Sequence, residues 1–166
     1  MQKIELLAPA GDLERLKTAF IYGADAVYIG GEIFGMRSAA KNFTIEEMAE
    51  GVEFAHARGK QVFVTLNIIP RNEEFEQLEM YLHELDRIGV DAVIVSDPGV
   101  FSVVKSTLPN MEIHISTQAS TTNAEAATFW YNQGAKRVVM ARELSFAEIK
   151  ELRENSPEDM DIEAFI

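Results

Sequence analysis

The sequence predicts an α/β fold of parallel strands and crossover helices, TIM-barrel-like but incomplete. The first observation behind this is a repeated design. GADAVYIGG (23–31), GVDAVIVSD (89–97) and GAKRVVMAR (134–142) each open with glycine, pass one or two polar residues and enter a short β-branched run. Glycine just beyond a helix end takes left-handed geometry at little cost, and Gly59, ahead of KQVFVTLN, sits in the same relation to its neighbours. The second observation is what lies between these units. Ile45, Met48, Val52 and Ala55 form one apolar stripe at helical spacing, and Phe75, Leu78, Leu82 and Leu85 form another. Strict strand–helix alternation implies a parallel sheet.

Taken in order, strands are expected near 4–8, 26–30, 61–66, 92–96, 112–117, 137–141 and 161–166, and helices near 12–22, 44–58, 73–88, 98–107, 121–133 and 145–154. Several helix starts carry their own signals. Thr44 with Glu47 and Ser145 with Glu148 have capping-box spacing. Asp97-Pro98 offers an N-cap followed by proline at the first helical position. Such a chain closes either as a (β/α)₈ barrel or as an open doubly wound sheet. The first strand–helix turn, APAGDLE, has neither GxGxxG nor a Walker pattern, which counts against the nucleotide-binding open sheet and favours the barrel. A complete barrel has eight strands, and only seven are read here. Residues 1–166 are therefore expected to form a single domain, the N-terminal part of a longer protein, whose unpaired strands at 4–8 and 161–166 could be covered by a second copy in a homo-oligomer.

Composition narrows the classes. At 47% hydrophobic and 25% charged residues the chain is globular rather than disordered. The net charge of −12, with no run of Lys or Arg, argues against a direct grip on nucleic acid by this segment. The absence of cysteine excludes disulfides, thiolate zinc sites and iron–sulfur ligation within these residues. No apolar run approaches the roughly 20 residues of a membrane span and the N-terminus does not read as a signal peptide, so a cytoplasmic location with no membrane partner is expected.

The strand faces carry the functional signal. With the uniformly apolar face turned to the helices, Ile4, Leu6, Ala8, Val27, Ile29, Val62, Val64, Leu66, Ile162 and Ala164 point outward. Glu5, Leu7, Tyr28, Phe63, Thr65, Asn67, His114, Ser116, Gln118 and Glu163 then point to the barrel axis. Branched aliphatics normally fill that axis. Polar groups buried there without partners would cost roughly 1–3 kcal/mol each, so they must bond one another or line a hydrated cavity. Glu5, Tyr28 and His114 lie low or midway on their strands, where a mutually satisfied layer is the simpler reading. Chemistry on barrels occurs at the C-terminal strand ends. There the sequence places Asn67, Asp97, Gln118, Arg142 and Glu143, with Arg37 in the loop GMRSAAKNF. Asp97 reads better as an N-cap. Candidate substrate-binding residues are Arg37, Asn67, Gln118 and Arg142, the two arginines suiting an anionic group through paired donors. Candidate catalytic residues are His114, Gln118 and Glu143.

Standard catalytic motifs are missing. HELDR (83–87) has Arg87 where HExxH needs its second histidine, the chain has no GxSxG, and no metal-ligand spacing links its three histidines. Ser116 and His114 share a strand face at roughly 7 Å by strand rise, too far for a nucleophile–base hydrogen bond.

LAPAGDLERLKTAFIYGADAVYIGG at the start, HISTQAS in the middle and RELS at 142–145 together resemble the N-terminal region of the collagenase-like peptidase family, the thirty-second of unassigned catalytic type. The resemblance covers essentially the whole chain. It implies a barrel-like N-terminal domain of a longer protein whose substrate is a peptide or a tRNA. Members are generally labelled collagenase-like proteases, hence hydrolases. Others resembling them act in oxygen-independent hydroxylation of a tRNA wobble-region uridine or of a ubiquinone precursor. It also implies a cysteine cluster, and with it an iron–sulfur cofactor, in a segment following the equivalent of DIEAFI. The reading expected here is the barrel domain of a tRNA uridine hydroxylation protein, with protease and non-catalytic assembly module as alternatives.

Overall fold

The computed structural model describes residues 4–35 and 42–166. Seven parallel strands form one sheet in chain order: β1 (Leu7–Pro9), β2 (Ala26–Gly30), β3 (Gln61–Leu66), β4 (Ala92–Val95), β5 (Glu112–Ile115), β6 (Arg137–Val139) and β7 (Asp161–Glu163). Each of the first six is followed by a helix: α1 (Leu13–Ile21), α2 (Ile45–His56), α3 (Phe75–Arg87), α4 (Pro98–Thr107), α5 (Ala124–Gln133) and α6 (Phe146–Glu154). Sequential order with no reversal is the barrel topology; a doubly wound sheet would switch direction at a central strand. The sheet is curled, since Glu5, just ahead of β1, reaches Arg137 on β6 across the axis at 2.6 Å. β1 and β7 are its two terminal strands.

The expected start signals act as capping residues. Thr44 accepts from the Glu47 amide while Glu47 returns the bond to the Thr44 N–H, and Ser145 and Glu148 do the same. Asp97 accepts from the Val100 amide at 2.9 Å, so it is the N-cap of α4. Gly23, Gly59, Gly89 and Gly134 follow α1, α2, α3 and α5 with φ of 108°, 64°, 80° and 104°, the geometry that explains the glycine opening each repeat.

Register confirms the predicted faces of β2 to β5, whereas Ile4 and Leu6, expected to face the helices, precede β1 and are exposed. Val27, Val62 and Ile29, Val64, Val93 lie side by side, and Ile113 pairs with Val93. This outer face packs with Leu16, Met48, Val52, Leu78, Leu82, Val100, Val104 and Leu152 from the helices into the main apolar core. The inner face holds a separate small cluster of Ala26, Phe63, Ala92 and Ile94, with Leu7 and Tyr28 against it. Most of the remaining inward positions are polar, and they build the site.

Five strands, β1, β4, β5, β6 and β7, are shorter than the alternation suggests. β5 ends at Ile115, where a 3₁₀ turn over Thr117–Ala119 begins, so Gln118 is a turn residue rather than a strand residue. β7 ends at Glu163 and β1 begins at Leu7. At the C-terminal end of β2 the backbone makes a parallel bridge from Gly31 to Phe43. A Cβ on Gly31 would land on Tyr81 Oη and lie 2.8 Å from Met48 Cε. Gly31→Ala should therefore cost about 1–3 kcal/mol through overpacking, read as a lower denaturant midpoint at unchanged slope.

Candidate functional site

The barrel interior divides into two levels. In the lower one, Arg137 enters from β6, buried at its side chain. It donates to Glu5 Oε1 at 2.6 Å and lies 3.7 Å from Asp161 Oδ2 and 3.5 Å from Glu163 Oε2. Its guanidinium sits over the Phe63 ring, 5.4 Å from the centroid. His114, fully buried, meets the same ring edge-on at 4.7 Å. Its Nε2 is 2.8 Å from Glu112 Oε1. With Nε2–H donating to that carboxylate, Nδ1 is left as an acceptor, and it has no hydrogen-bond partner among the described residues.

Charges in this layer shape one another. Burial lowers the His114 pKa, and the nearby Arg137 charge lowers it further against the opposing pull of Glu112. His114 is thus neutral at neutral pH. The bond from His114 holds the Glu112 carboxyl below its usual range. Glu163 goes the other way: burial pushes its carboxyl up, and the Arg137 charge only partly reverses this. The 3.5 Å contact between Arg137 and Glu163 is an ion pair without hydrogen-bond alignment, so the buried Oε2 of Glu163 makes no hydrogen bond.

The upper level is open at the C-terminal ends of the strands. It is a cavity of about 200 Å³ bordered by the inward positions Tyr28, Thr65, Ile94, Ser116, Val139 and Glu163. Pro9, Ala10 and Gly11 of the first strand–helix turn close one side. Thr65 donates its hydroxyl to the Ile29 carbonyl at 3.2 Å, and Ser116 donates to Gln118 Oε1. At the mouth, Arg142 lies over the Phe165 ring with its guanidinium carbon 4.2 Å from the centroid.

The structure brings together three of the four residues expected to bind substrate: Asn67, Gln118 and Arg142 all border the cavity. Arg37 lies outside the described residues. Among the catalytic candidates, Gln118 borders the cavity, whereas His114 lies in the layer beneath it, bonded to Glu112 and packed on Phe63. Glu143 is exposed on the turn after β6 and does not border the cavity. The Ser116 hydroxyl bonds to Gln118 and the His114 imidazole to Glu112, so no serine–histidine pair forms.

Two residues central to the site were not among the expected ones. Arg137 opens β6, where a lone arginine after Gly-Ala-Lys reads as the polar entry to a strand. The signal that could have found it is the pair of inward carboxylates, Glu5 and Glu163, at the first and last strands, since acids that converge inside a curled sheet call for a cation. Phe165 lies beyond the last paired residue of β7 but keeps the inward parity of Asp161 and Glu163.

Comparison with known proteins places this geometry in a lineage. The chain is 52% identical over 165 residues to the tRNA hydroxylation protein P1 of Bacillus subtilis (strain 168), an alignment covering 99% of this chain and 39% of that protein. It is 40% identical over 164 residues to the 23S rRNA 5-hydroxycytidine C2501 synthase of Escherichia coli (strain K12), covering 99% of this chain and 24% of that one. This chain thus spans well under half the length of either relative. Among solved structures, that of the U32 peptidase Mk0906 superposes with a TM-score of 0.79 at 18% identity, over 99% of this chain and 70% of the other, which supports the shared fold. The model of peptidase family U32 matches from residue 11 to residue 166, and the chain belongs to that family.

Proposed function

We propose that this chain is the barrel portion of a protein that takes part in hydroxylating a tRNA uridine, and that the cavity at its C-terminal rim receives the reacting nucleoside. The observation that carries this is the 52% identity, across 99% of the chain, with a tRNA hydroxylation protein. The cavity is consistent with it. Hydroxyl, amide and carboxyl groups converge on one small space bordered by apolar side chains, the usual composition of a small-molecule or base pocket. With a net charge of −12, this chain supplies little of the phosphate contact that dominates RNA affinity, so that grip belongs to other parts of the full-length protein. A chain without cysteine does not fit an iron–sulfur cluster held by thiolates, and the cavity residues are assigned no step through one. Among the described residues no helix is long and apolar enough to cross a membrane, which agrees with action on RNA in the cytoplasm.

Deletion of the full-length gene should remove one hydroxylated uridine from bulk tRNA, measured by mass spectrometry of digested nucleosides, and reintroduction should restore it. An unchanged nucleoside profile would reject the reading. The competing reading is a collagenase-like hydrolase. It would gain support if the purified full-length protein cleaved protein substrates and the Ser116→Ala variant did not.

A further inference from the structure

We propose that the rim cavity seats a single pyrimidine base extruded from RNA, and that Phe165, backed by Arg142, is the platform on which that base or its neighbour stacks. This rests on the RNA hydroxylation reading and names the form in which the substrate enters.

Size gives the first support. About 200 Å³ falls below the roughly 300–1,000 Å³ of sites for drug-sized ligands, and it suits one six-membered ring rather than a peptide segment or a dinucleotide. Chemistry on a base also requires that base to leave its stack or to be single-stranded already, because a helical stack cannot reach a recess at a barrel rim.

The mouth gives the second. Phe165 is half-exposed and borders the cavity. Arg142 covers one part of its surface at 4.2 Å. Arg142 itself is exposed and forms no ion pair with any described carboxylate. A cation stacked on an aromatic ring, both beside a recess, is the recurrent way proteins hold splayed-out bases. The ring offers a π-face and the guanidinium offers either a second stacking plane or a phosphate contact. In a chain with 27 acidic residues against 15 basic ones, an arginine at the mouth with no acidic partner is the position most readily available to the nucleotide.

The floor gives the third. Glu163 sits two residues before Phe165 on the same face and borders the cavity. Its carboxyl oxygens can accept from the N–H of a uracil edge.

The test uses the full-length gene in a strain lacking it. Phe165→Leu keeps an apolar side chain of similar size but removes the π-face, whereas Phe165→Trp keeps and enlarges it. Phe165→Leu should lower the initial rate of tRNA uridine hydroxylation by about 10- to 100-fold, in proportion to the loss of one base–aromatic stack, and Phe165→Trp should retain activity. In the purified full-length tryptophan variant, a uridine-containing single-stranded oligonucleotide should quench fluorescence beyond the change seen with wild type. Full activity in Phe165→Leu, or no added quenching in Phe165→Trp, overturns the stacking platform while leaving the hydroxylation reading intact. If the wild-type gene restores no hydroxylated uridine, both fall.

Discussion

Replacing Arg137 by alanine is expected to destabilise the fold by about 3 kcal/mol, the low end of the cost of stranding buried charges by removing one partner. The low end applies because Glu5 and Asp161 keep 32% and 39% of their side chains exposed, and water screens what it reaches. Glu163, at 19%, is the carboxylate with least relief. The loss should appear as a lower denaturant midpoint with an unchanged slope. It should also depend on pH in a defined direction. Without the guanidinium, the Glu163 carboxyl, already raised by burial, rises further. A group whose folded pKa exceeds its unfolded value of 4.5 penalises the fold at neutral pH, and the penalty fades as pH falls through the folded value. His114 moves in the helpful direction too. In the wild type its folded pKa lies below 6.5, partly because of the Arg137 charge, so stability is lost as pH falls below that value. With Arg137 gone, His114 takes up a proton more readily and can partly replace the missing cation beside Glu5 and Glu112. The gap between variant and wild type should therefore narrow from pH 7 toward pH 5. A gap that stays constant or widens would mean that the three carboxylates are not what Arg137 holds in place.

This network marks how far the sequence is legible. Alternation in β2, β3 and β5 assigns faces correctly because each of these strands is long enough to show its period: QVFVTL and EIHI need only the rule that successive side chains oppose. Capping boxes and left-handed glycines are equally local. What alternation does not show is which inward groups meet. Glu5 and Arg137 are 132 residues apart, and their contact depends on the curl of the sheet. That curl is the sum of small twists between neighbouring strands, which no single window contains. β6 has only three paired residues, too short for its period to identify Arg137 as an inward side chain. The same limit applies to Gln118. The dyad pattern of HISTQ continues through the end of β5, but the chain turns at Ser116 to bring the amide over the cavity. His114 is a candidate by residue type and inward face, although its low position on the strand already favours a mutually satisfied layer. Its strand position, level with Ile94 and Arg137 in register, puts it under the cavity instead.

Phe63→Ala is expected to cost about 3–5 kcal/mol, as for other fully buried phenylalanines truncated in a well-packed core. Phe63 is 1% exposed at the barrel axis and is the large apolar side chain around which the lower layer is organised. Arg137 lies over its face and His114 against it at an interplanar angle of 80°, so the ring packs against two polar groups at once. Two effects of its removal oppose each other. The vacated space loses dispersion contacts on all sides. Its walls include the His114 ring, whose Nδ1 has no hydrogen-bond partner among the described residues, and water that reaches this atom would satisfy it and move the cost toward the lower figure. Phe63→Leu should cost less, since it refills most of the volume, but it lacks the π-face that attracts the guanidinium. A double-mutant cycle separates these contributions. If the Arg137–Phe63 contact stabilises the layer, Arg137→Ala and Phe63→Leu together should cost less than the sum of the two, by about 1 kcal/mol, the scale of a partly desolvated cation–π pair. Strict additivity would show that the ring acts on Arg137 only by excluding water, and the charged layer would then owe its order to Glu5, Asp161 and Glu163 alone.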